Sequence, residues 1–320
     1  MDFVSHFFLG FLLGALTINT LGLDFYIFAA IMAIFPDFDV FLFPLLKKKK
    51  RYYLSHRGAS HSYITGAIIS AITGLIFCLI TGKSFLLAYI ISWLFYSLHV
   101  TLDLFTTSKI PIFYPFSKKE YRLSVDRAIN PLLMFSSASI IIFYLVLYFF
   151  WRSLYYNRYL WTFFSIIYLV YFFYKIITRF LIQARLPENC QYIPGIFPFV
   201  YTIYENKSTE YSKLFKLTKK FQFRSKSIKV IETEIKNGSS EMIFYDKAKQ
   251  IFKRYRFFNK WKAIIPLIRE DDVNVIVLLF LAESLAHGTA YFLKVAFNKI
   301  NGNIDYVHDE FNTVLNKKKN

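Results

Sequence analysis

Residues 85–104 read FLLAYIISWLFYSLHVTLDL, an apolar run whose last turns carry His99 and Asp103. Its length fits the roughly 17–25 residues with which a helix crosses a bilayer. Side chains four positions apart lie on one face of a helix, so an imidazole nitrogen and a carboxylate oxygen could reach one metal ion. The alternative is a histidine packed in a bundle and an aspartate that caps the helix. Because ionisable groups are costly in apolar spans, several of them converging on one membrane face would indicate a functional site, whereas this pair alone does not.

The whole chain has the composition of a membrane protein. It is 55% hydrophobic and 21% aromatic, with a mean hydropathy of +0.37, above the usual range of soluble domains. Four apolar runs are long enough to cross a bilayer as helices: 64–81, 85–102, 132–150 and 159–181. An earlier run, 7–35, is interrupted by Asn19, Gly22 and Asp24. It predicts a helical hairpin dipping into the membrane, with two thin, tilted spans as the alternative.

The cations are distributed unevenly between the two ends of these predicted spans. The connections 36–63 and 106–130 together hold eleven Lys and Arg residues, whereas the opposite turns hold three. By the positive-inside rule, the richer loops and both termini are cytoplasmic. The net charge of +18 suits attraction to anionic membrane lipid. Nucleic acid is the less favoured partner, because the basic residues flank the spans and no nucleic-acid motif is visible.

The character of the chain changes after residue 182. Charged residues become frequent, and alternating runs at 227–234, 273–281 and 289–297 predict strands. A helical period covers 244–260, and turn signals fall at 237–238 and 301–303. The run 273–286 is too short for a span and contains Glu283. The sequence thus predicts a mainly helical membrane domain, 1–182, followed by a mostly β, α+β cytoplasmic domain, 183–320, with a disordered end.

Further His and Asp residues fall at the same predicted membrane face: His6, Asp37, Asp39, His56 and His61. Pro36 ends the preceding helix, so Asp37 and Asp39 lie in a turn from which both can reach a cation, or one can orient another ligand. The alternative is an exposed turn that merely ends the helix. With only Cys78 and Cys190, neither a disulfide framework nor a thiolate zinc site is expected.

The segment His56-Arg57-Gly58-Ala59-Ser60-His61-Ser62 joins two imidazoles and a guanidinium where a loop meets a helix. Gly58 permits tight curvature, and Ser60 or Ser62 can cap the helix that follows. Such a junction can hold a metal and a phosphate oxygen together. A basic interfacial loop is the alternative, and His6 has the equally simple alternative of an interfacial residue on an apolar helix.

The order of these motifs resembles that of the membrane-bound metal-dependent hydrolases of the YdjM type, the DUF457 family, over about residues 1–130. That family is similar in ligand order to the zinc-dependent phospholipase C and S1/P1 nuclease group. The resemblance implies that His6, Asp37, His61, His99 and Asp103 are metal ligands, with Asp39 and His56 either ligands or supporting residues. A second His pair is missing and only Asp126 follows downstream, so the resemblance implies one or two ions, zinc by preference, rather than three.

The function predicted is metal-assisted hydrolysis of a phosphoester, lipid-linked or not, at the cytoplasmic face of the membrane. Asp37 or Asp39 would accept the proton of the attacking water, and Arg57 would steady the phosphate. The chain has no Gly-rich phosphate loop and no Gly-x-Ser-x-Gly nucleophile motif. The alternative is a non-catalytic membrane anchor or regulator with a structural metal and a β-domain that binds a protein partner. A transporter is third, because the candidate ligands gather at one face rather than at mid-bilayer.

Overall fold

The structure is a computed structural model that describes residues 1–16, 18–42, 57–255, 258, 261 and 263–312. The chain divides into two compact units, Met1–Ile176 and Ile177–Asn320. This division and the boundary predicted at residue 182 both fall within one continuous helix, Arg158–Arg185.

The first unit is helical. Its longer helices are α1 Phe3–Ala15, α2 Leu23–Met32, α3 Tyr63–Thr81, α4 Phe85–Leu104, α5 Pro131–Phe150 and α6 Arg158–Arg185. Shorter helical turns cover Ile18–Leu21, Phe35–Leu42, Ala59–His61 and Arg152–Tyr155. Helices α3 to α6 are each long and apolar enough to cross a membrane. They confirm the four predicted spans, and outward-facing residues such as Leu79, Ile80 and Phe149 are more than 70% exposed, as expected of lipid-facing surfaces.

Helices α1 and α2 form the predicted hairpin. They contain 13 and 10 residues, about 20 and 15 Å of helix, which is short of the roughly 30 Å of a hydrocarbon core. The two helices run antiparallel, because Gly10 faces Ala30 and Ala33 whereas Gly14 faces Tyr26. Small residues at 10, 14 and 33 let the two backbones approach closely.

Side-chain caps define where the long helices begin. Ser62 accepts a hydrogen bond from Ile64 N at the start of α3, and Ser84 does the same for Leu87 N at the start of α4. Asn130 caps α5, whose first residue is Pro131, a position where the missing N–H of proline has no cost. The caps at Ser62 and Asn130 thus fix the first residues of α3 and α5, which directly follow the polar connections 36–63 and 106–130.

The second unit contains two four-stranded antiparallel sheets, ordered β1-β2-β3-β4 and β5-β6-β7-β8. The strands are β1 Cys190–Pro194, β2 Val200–Ser208, β3 Ser212–Phe221, β4 Arg224–Lys236, β5 Ile264–Glu270, β6 Asn274–Leu281, β7 Ala290–Asn298 and β8 Ile304–Asn312. Helix α7, Ser240–Arg254, packs Tyr245, Ala248 and Phe252 into a core shared with both sheets. Tyr204 Oη donates to Ile264 O at 2.9 Å and links the sheets directly.

The predicted strands at 227–234, 273–281 and 289–297 correspond to β4, β6 and β7. The predicted helix at 244–260 begins earlier, at Ser240, because the Ser239 side chain caps it. The run 273–286 forms β6 and a short helix, Ala282–Ala286, rather than a span. The end predicted to be disordered lies outside the described residues.

Candidate metal centre

Helix α4 carries two of the site residues on one face. His99 and Asp103 are both fully buried, and one helical turn separates them, as the i, i+4 spacing predicts. The Nδ1 atom of His99 lies 2.7 Å from the backbone oxygen of Ala33. Because a carbonyl only accepts, Nδ1 carries the proton and the Nε2 lone pair of a neutral His99 points inward.

The α1–α2 hairpin supplies His6 and the turn with Asp37. His6 lies on α1 with 1% exposure, and its ring stacks on that of His99 at 3.7 Å between centroids. After α2 the chain enters the 3-10 turn Phe35–Leu42, where Asp37 is 8% exposed. The close Gly10–Ala33 approach therefore positions both His6 and the carbonyl that holds His99.

The turn before α3 supplies His61. Tyr96 Oη of α4 donates to Ser60 O at 2.5 Å. Asp39 Oδ2 accepts from Ser60 Oγ at 2.6 Å and from the Arg57 backbone N–H at 3.1 Å. Arg57 has a left-handed φ of 58°, which few residues other than glycine adopt. These bonds tie the turn to both α4 and the Asp37 segment, and they leave His61 fully buried.

The nitrogen and oxygen atoms of these side chains converge. His61 Nε2 lies 3.3 Å from His99 Nε2, and each of these nitrogens lies 3.5 Å from Asp37 Oδ1. His61 Nε2 lies 3.2 Å from Asp103 Oδ2, and His6 Nε2 lies 3.2 Å from Asp103 Oδ1. Two overlapping sets, His6–Asp37–His99 and His61–His99–Asp103, hold their ligand atoms within 4.8 Å of one another.

This donor set fits a divalent cation. Zinc bonded at 2.0–2.1 Å in a tetrahedron separates its ligand atoms by roughly 3.3 Å, close to the separations observed. Asp37 Oδ1 is buried and makes no hydrogen bond within the described part of the chain, and Asp103 Oδ2 has an ionic contact with Arg57 Nε at 3.0 Å but no hydrogen bond there. Inward lone pairs of imidazole and carboxylate repel one another unless a proton or a metal lies between them. The chemistry of the site therefore suits imidazole and carboxylate coordination of zinc or a similar ion.

The electrostatics favour ionised carboxylates. Burial raises the pKa of the Asp37 carboxyl, but the facing imidazoles of His61 and His99 lower it by more, so the net shift is downward. The Arg57 guanidinium and the Met1 amino group, whose pKa burial lowers, contact Asp103. Arg57 Nε lies 3.0 Å from its Oδ2, and the Met1 amino group contacts its Oδ1.

Asp39 lies on the outer side of His61. Its Oδ2 is 3.5 Å from His61 Nδ1, the ring nitrogen opposite the cluster, and Ser60 Oγ is 3.0 Å from the same nitrogen. Such a carboxylate behind an imidazole fixes its tautomer and raises its basicity as a ligand. Asp39 is thus placed to orient His61, which is one of the roles the sequence left open for it beside those of metal ligand and proton acceptor.

The structure brings together His6, Asp37, His61, His99 and Asp103, with Asp39 and Arg57 next to them. His56 lies outside the described residues. The metal-binding, catalytic and substrate-binding roles of all these residues stay predictions.

A second buried polar network was missed from the sequence. Asp126 Oδ1 lies 3.1 Å from Lys175 Nζ of α6, and Asp126 also accepts from Asn130 Nδ2 and Tyr171 Oη. Lys175 is fully buried. The sequence signal for this network was a single lysine inside an apolar run. Hydropathy averaged over a span-length window hides one charged residue.

Arg127, the neighbour of Asp126, was also not singled out from the sequence. Its Nε and Nη1 atoms are buried and have no hydrogen-bond partner in the described structure. Burial lowers the pKa of its guanidinium to about 10, against an opposing effect of Asp126. The adjoining backbone is held near α4, because Asp126 N donates to Phe105 O at 3.0 Å.

Four apolar helices and a buried His–Asp cluster define a helical membrane protein with a candidate metal centre. The chain belongs to the YdjM inner membrane protein family, which matches residues 1–178. The match covers the helical unit and ends within α6, so the β-rich unit lies outside it. Comparisons with curated proteins and with solved structures find no match for this chain.

Proposed function

We propose that this protein is a membrane-bound metal-dependent hydrolase that cleaves a phosphoester at the cytoplasmic face of the membrane. The observation that carries the proposal is the convergence of His61 Nε2, His99 Nε2 and Asp37 Oδ1 within 3.5 Å of one another in a buried site. Eleven cations against three in the connecting loops support the cytoplasmic side.

The residues that would hold the ion are His61, His99, Asp37 and Asp103, with His6 beside them. When bound, a zinc ion lowers the pKa of a coordinated water toward about 7 and polarises a phosphoryl oxygen. Of the two candidate proton acceptors, Asp37 is the better placed, because it is 8% exposed whereas His61, His99 and Asp103 are at 0%, but the imidazoles that lower its pKa make it a weak base. Asp39 is less suited, since its Oδ2 already accepts from Ser60 and Arg57.

Two arginines suit an anionic substrate in different ways. Arg57 already neutralises Asp103, with Nη2 3.2 Å from Oδ1, so its first role is to balance the buried carboxylates. Arg127 instead has buried guanidinium nitrogens without a hydrogen-bond partner in the described chain. A phosphoester oxygen would supply that partner, and charge-assisted bonds from arginine to phosphate are among the strongest in proteins.

The burial of the cluster also favours a second function. Structural zinc sites are closed by protein ligands, whereas catalytic ones keep a position open to water. His61, His99 and Asp103 have no exposed surface, which suits a metal that clamps α1, α2 and α4 together. In this alternative, the protein is a membrane anchor or regulator whose β-domain binds a protein partner.

Turnover by the purified protein separates the two functions. Wild type, His61→Ala and Asp103→Asn would be assayed in detergent with a chromogenic phosphodiester, before and after chelation and with zinc or manganese added back. His308→Ala is the control, because His308 is exposed on β8. A hydrolase requires metal-dependent turnover in wild type and His308→Ala that both site variants abolish. Bound metal without turnover, together with lost stability in the site variants, supports the anchor and refutes the hydrolase.

A further inference from the structure

Two turns at one end of the first sheet bring aromatic and basic residues together. The β1–β2 turn holds Phe197 and Phe199, whose rings stack at 5.7 Å between centroids. The β3–β4 turn holds Phe223, and Gln222 N of that turn donates to Phe199 O at 2.9 Å. The two turns therefore form one continuous end of the sheet. We call it the aromatic tip, made up of Phe197, Phe199, Phe223, Lys219, Lys220 and Arg224.

The aromatic rings of this tip are turned away from the core. Phe197 is 48% exposed, Phe199 42% and Phe223 77%, and none of the three belongs to the buried cluster between the sheets and α7. A single exposed ring is ordinary, but adjacent exposed rings on a soluble domain indicate an interaction surface.

The charge around the rings is of one sign. Strand register pairs Tyr201 with Lys220 and Phe221 with Arg224, which places the cations directly behind the turns. The stretches 194–204 and 217–229 contain no Asp or Glu. Aromatic rings flanked by Lys and Arg are the pattern of protein segments that lie in the headgroup region of anionic membranes.

Strand β1 is held against the last turns of α6. Gln183 Nε2 of α6 donates to Cys190 O at 3.1 Å, and Tyr192 N donates to Gln183 Oε1 at 2.9 Å. Earlier on α6, the Arg179 guanidinium lies 5.6 Å from the Tyr192 ring. Strand β1 is thus tied to residues 179–183 of α6, the last part of a helix that is long and apolar enough to cross a membrane.

We propose that the aromatic tip docks on the surface of an anionic lipid bilayer, with its phenylalanine rings at the boundary between headgroups and acyl chains. Lys219, Lys220 and Arg224 would contact lipid phosphates and carboxylates. The docking anchors the β-rich unit beside the membrane at a second point besides α6. It is independent of the hydrolase proposal, because it requires neither the metal nor turnover.

The experiment uses the full chain reconstituted in vesicles. In a background with Cys78 and Cys190 changed to Ser, Phe223→Cys would carry an environment-sensitive fluorophore. Tyr211→Cys is the matched control, because Tyr211 is 81% exposed in the turn at the opposite end of the same sheet. Vesicles would be of phosphatidylcholine alone or mixed with phosphatidylglycerol, each with and without spin-labelled lipid as a quencher.

We expect a blue shift and lipid quenching at position 223 in the anionic vesicles, and neither change at position 211. Reversing Lys219, Lys220 and Arg224 to Glu should weaken docking on the order of 100-fold, as judged from the phosphatidylglycerol fraction or salt at half-quenching. Reversing Lys207 and Lys236, at the far end of the sheet, should leave docking unchanged. Equal water exposure at positions 223 and 211 in anionic vesicles would overturn the proposal. It would also be overturned if reversing the three charges left the lipid quenching at position 223 unchanged. A label that shifts only with added protein would identify a protein surface instead and would refute lipid docking.

Discussion

The contact between Gly10 and Ala33 gives a quantitative test of how the hairpin builds the site. A Cβ added at Gly10 would collide with the Ala33 Cβ, and overpacking of this kind costs about 1–3 kcal/mol. In a helix, however, alanine is more stabilising than glycine by about 1 kcal/mol of folding free energy. With the middle of the overpacking range, about 2 kcal/mol, Gly10→Ala should lower the free energy of unfolding by about 1 kcal/mol, which SDS titration in mixed micelles followed by circular dichroism can measure.

The reverse change on α2 should rescue the variant. Ala33→Gly removes the colliding methyl group at the C-cap of α2, where glycine costs at most the roughly 1 kcal/mol of a helix interior, so Gly10→Ala with Ala33→Gly should be at least close to wild-type stability. The coupling free energy between the two positions would then be about 2 kcal/mol. Gly14→Ala is the control, because its Cβ would meet no atom closer than the Tyr26 ring edge, at 3.2 Å.

The same variant should weaken metal binding, because Ala33 O accepts the hydrogen bond that orients His99. Zinc affinity, measured by competition with a chromophoric chelator, should fall in Gly10→Ala and recover in the double variant. If Gly10→Ala were as stable as wild type, or if Ala33→Gly gave no rescue, the close helix approach would not position the site.

Three further predictions concern orientation and charge. Asp39→Ala should reduce metal affinity by about 10–100-fold without unfolding the protein, because the carboxylate orients His61; unchanged affinity in the same competition assay would contradict that role. A reporter at the C-terminal end should be cytoplasmic, and one at Lys83 should be external. The opposite pattern would place the candidate metal centre at the external face of the membrane. Lys175→Met should destabilise the helical unit by about 3–5 kcal/mol in SDS titration, because it leaves the Asp126 charge buried and unpaired, and Asp126→Asn in the same chain should recover much of that loss.

The membrane fold was predictable because its signals are local. A span requires about 20 apolar residues in sequence, and the four predicted runs correspond to α3 to α6. The hairpin followed from Asn19, Gly22 and Asp24, and Gly22 has a φ of 88° at the start of α2. His99 and Asp103 could be placed on one face because helix geometry fixes the i, i+4 relation.

The site's outer contacts could not be predicted, because they depend on turns and on long-range packing. Which side of His61 faces Asp39 depends on the left-handed Arg57 and on the bond from Tyr96 to Ser60. Asp126 and Lys175 form an ion pair although they are 49 positions apart in sequence. The spacing of apolar residues along the chain does not predict a contact over that distance. Sequence patterns thus identified the residue types of the site but not which atoms face each other.

The most direct test of the central claim is the metal content and metal coordination of the purified protein. After equilibration with zinc and removal of free ions, elemental analysis of wild type and His308→Ala should give at least one tightly bound ion per chain. X-ray absorption should show only nitrogen and oxygen ligands near 2.0–2.1 Å. His61→Ala and His99→Ala should lose the ion while their four spans still insert. A folded wild-type protein that binds neither zinc nor manganese, or one that keeps its ion in both histidine variants, would contradict the claim.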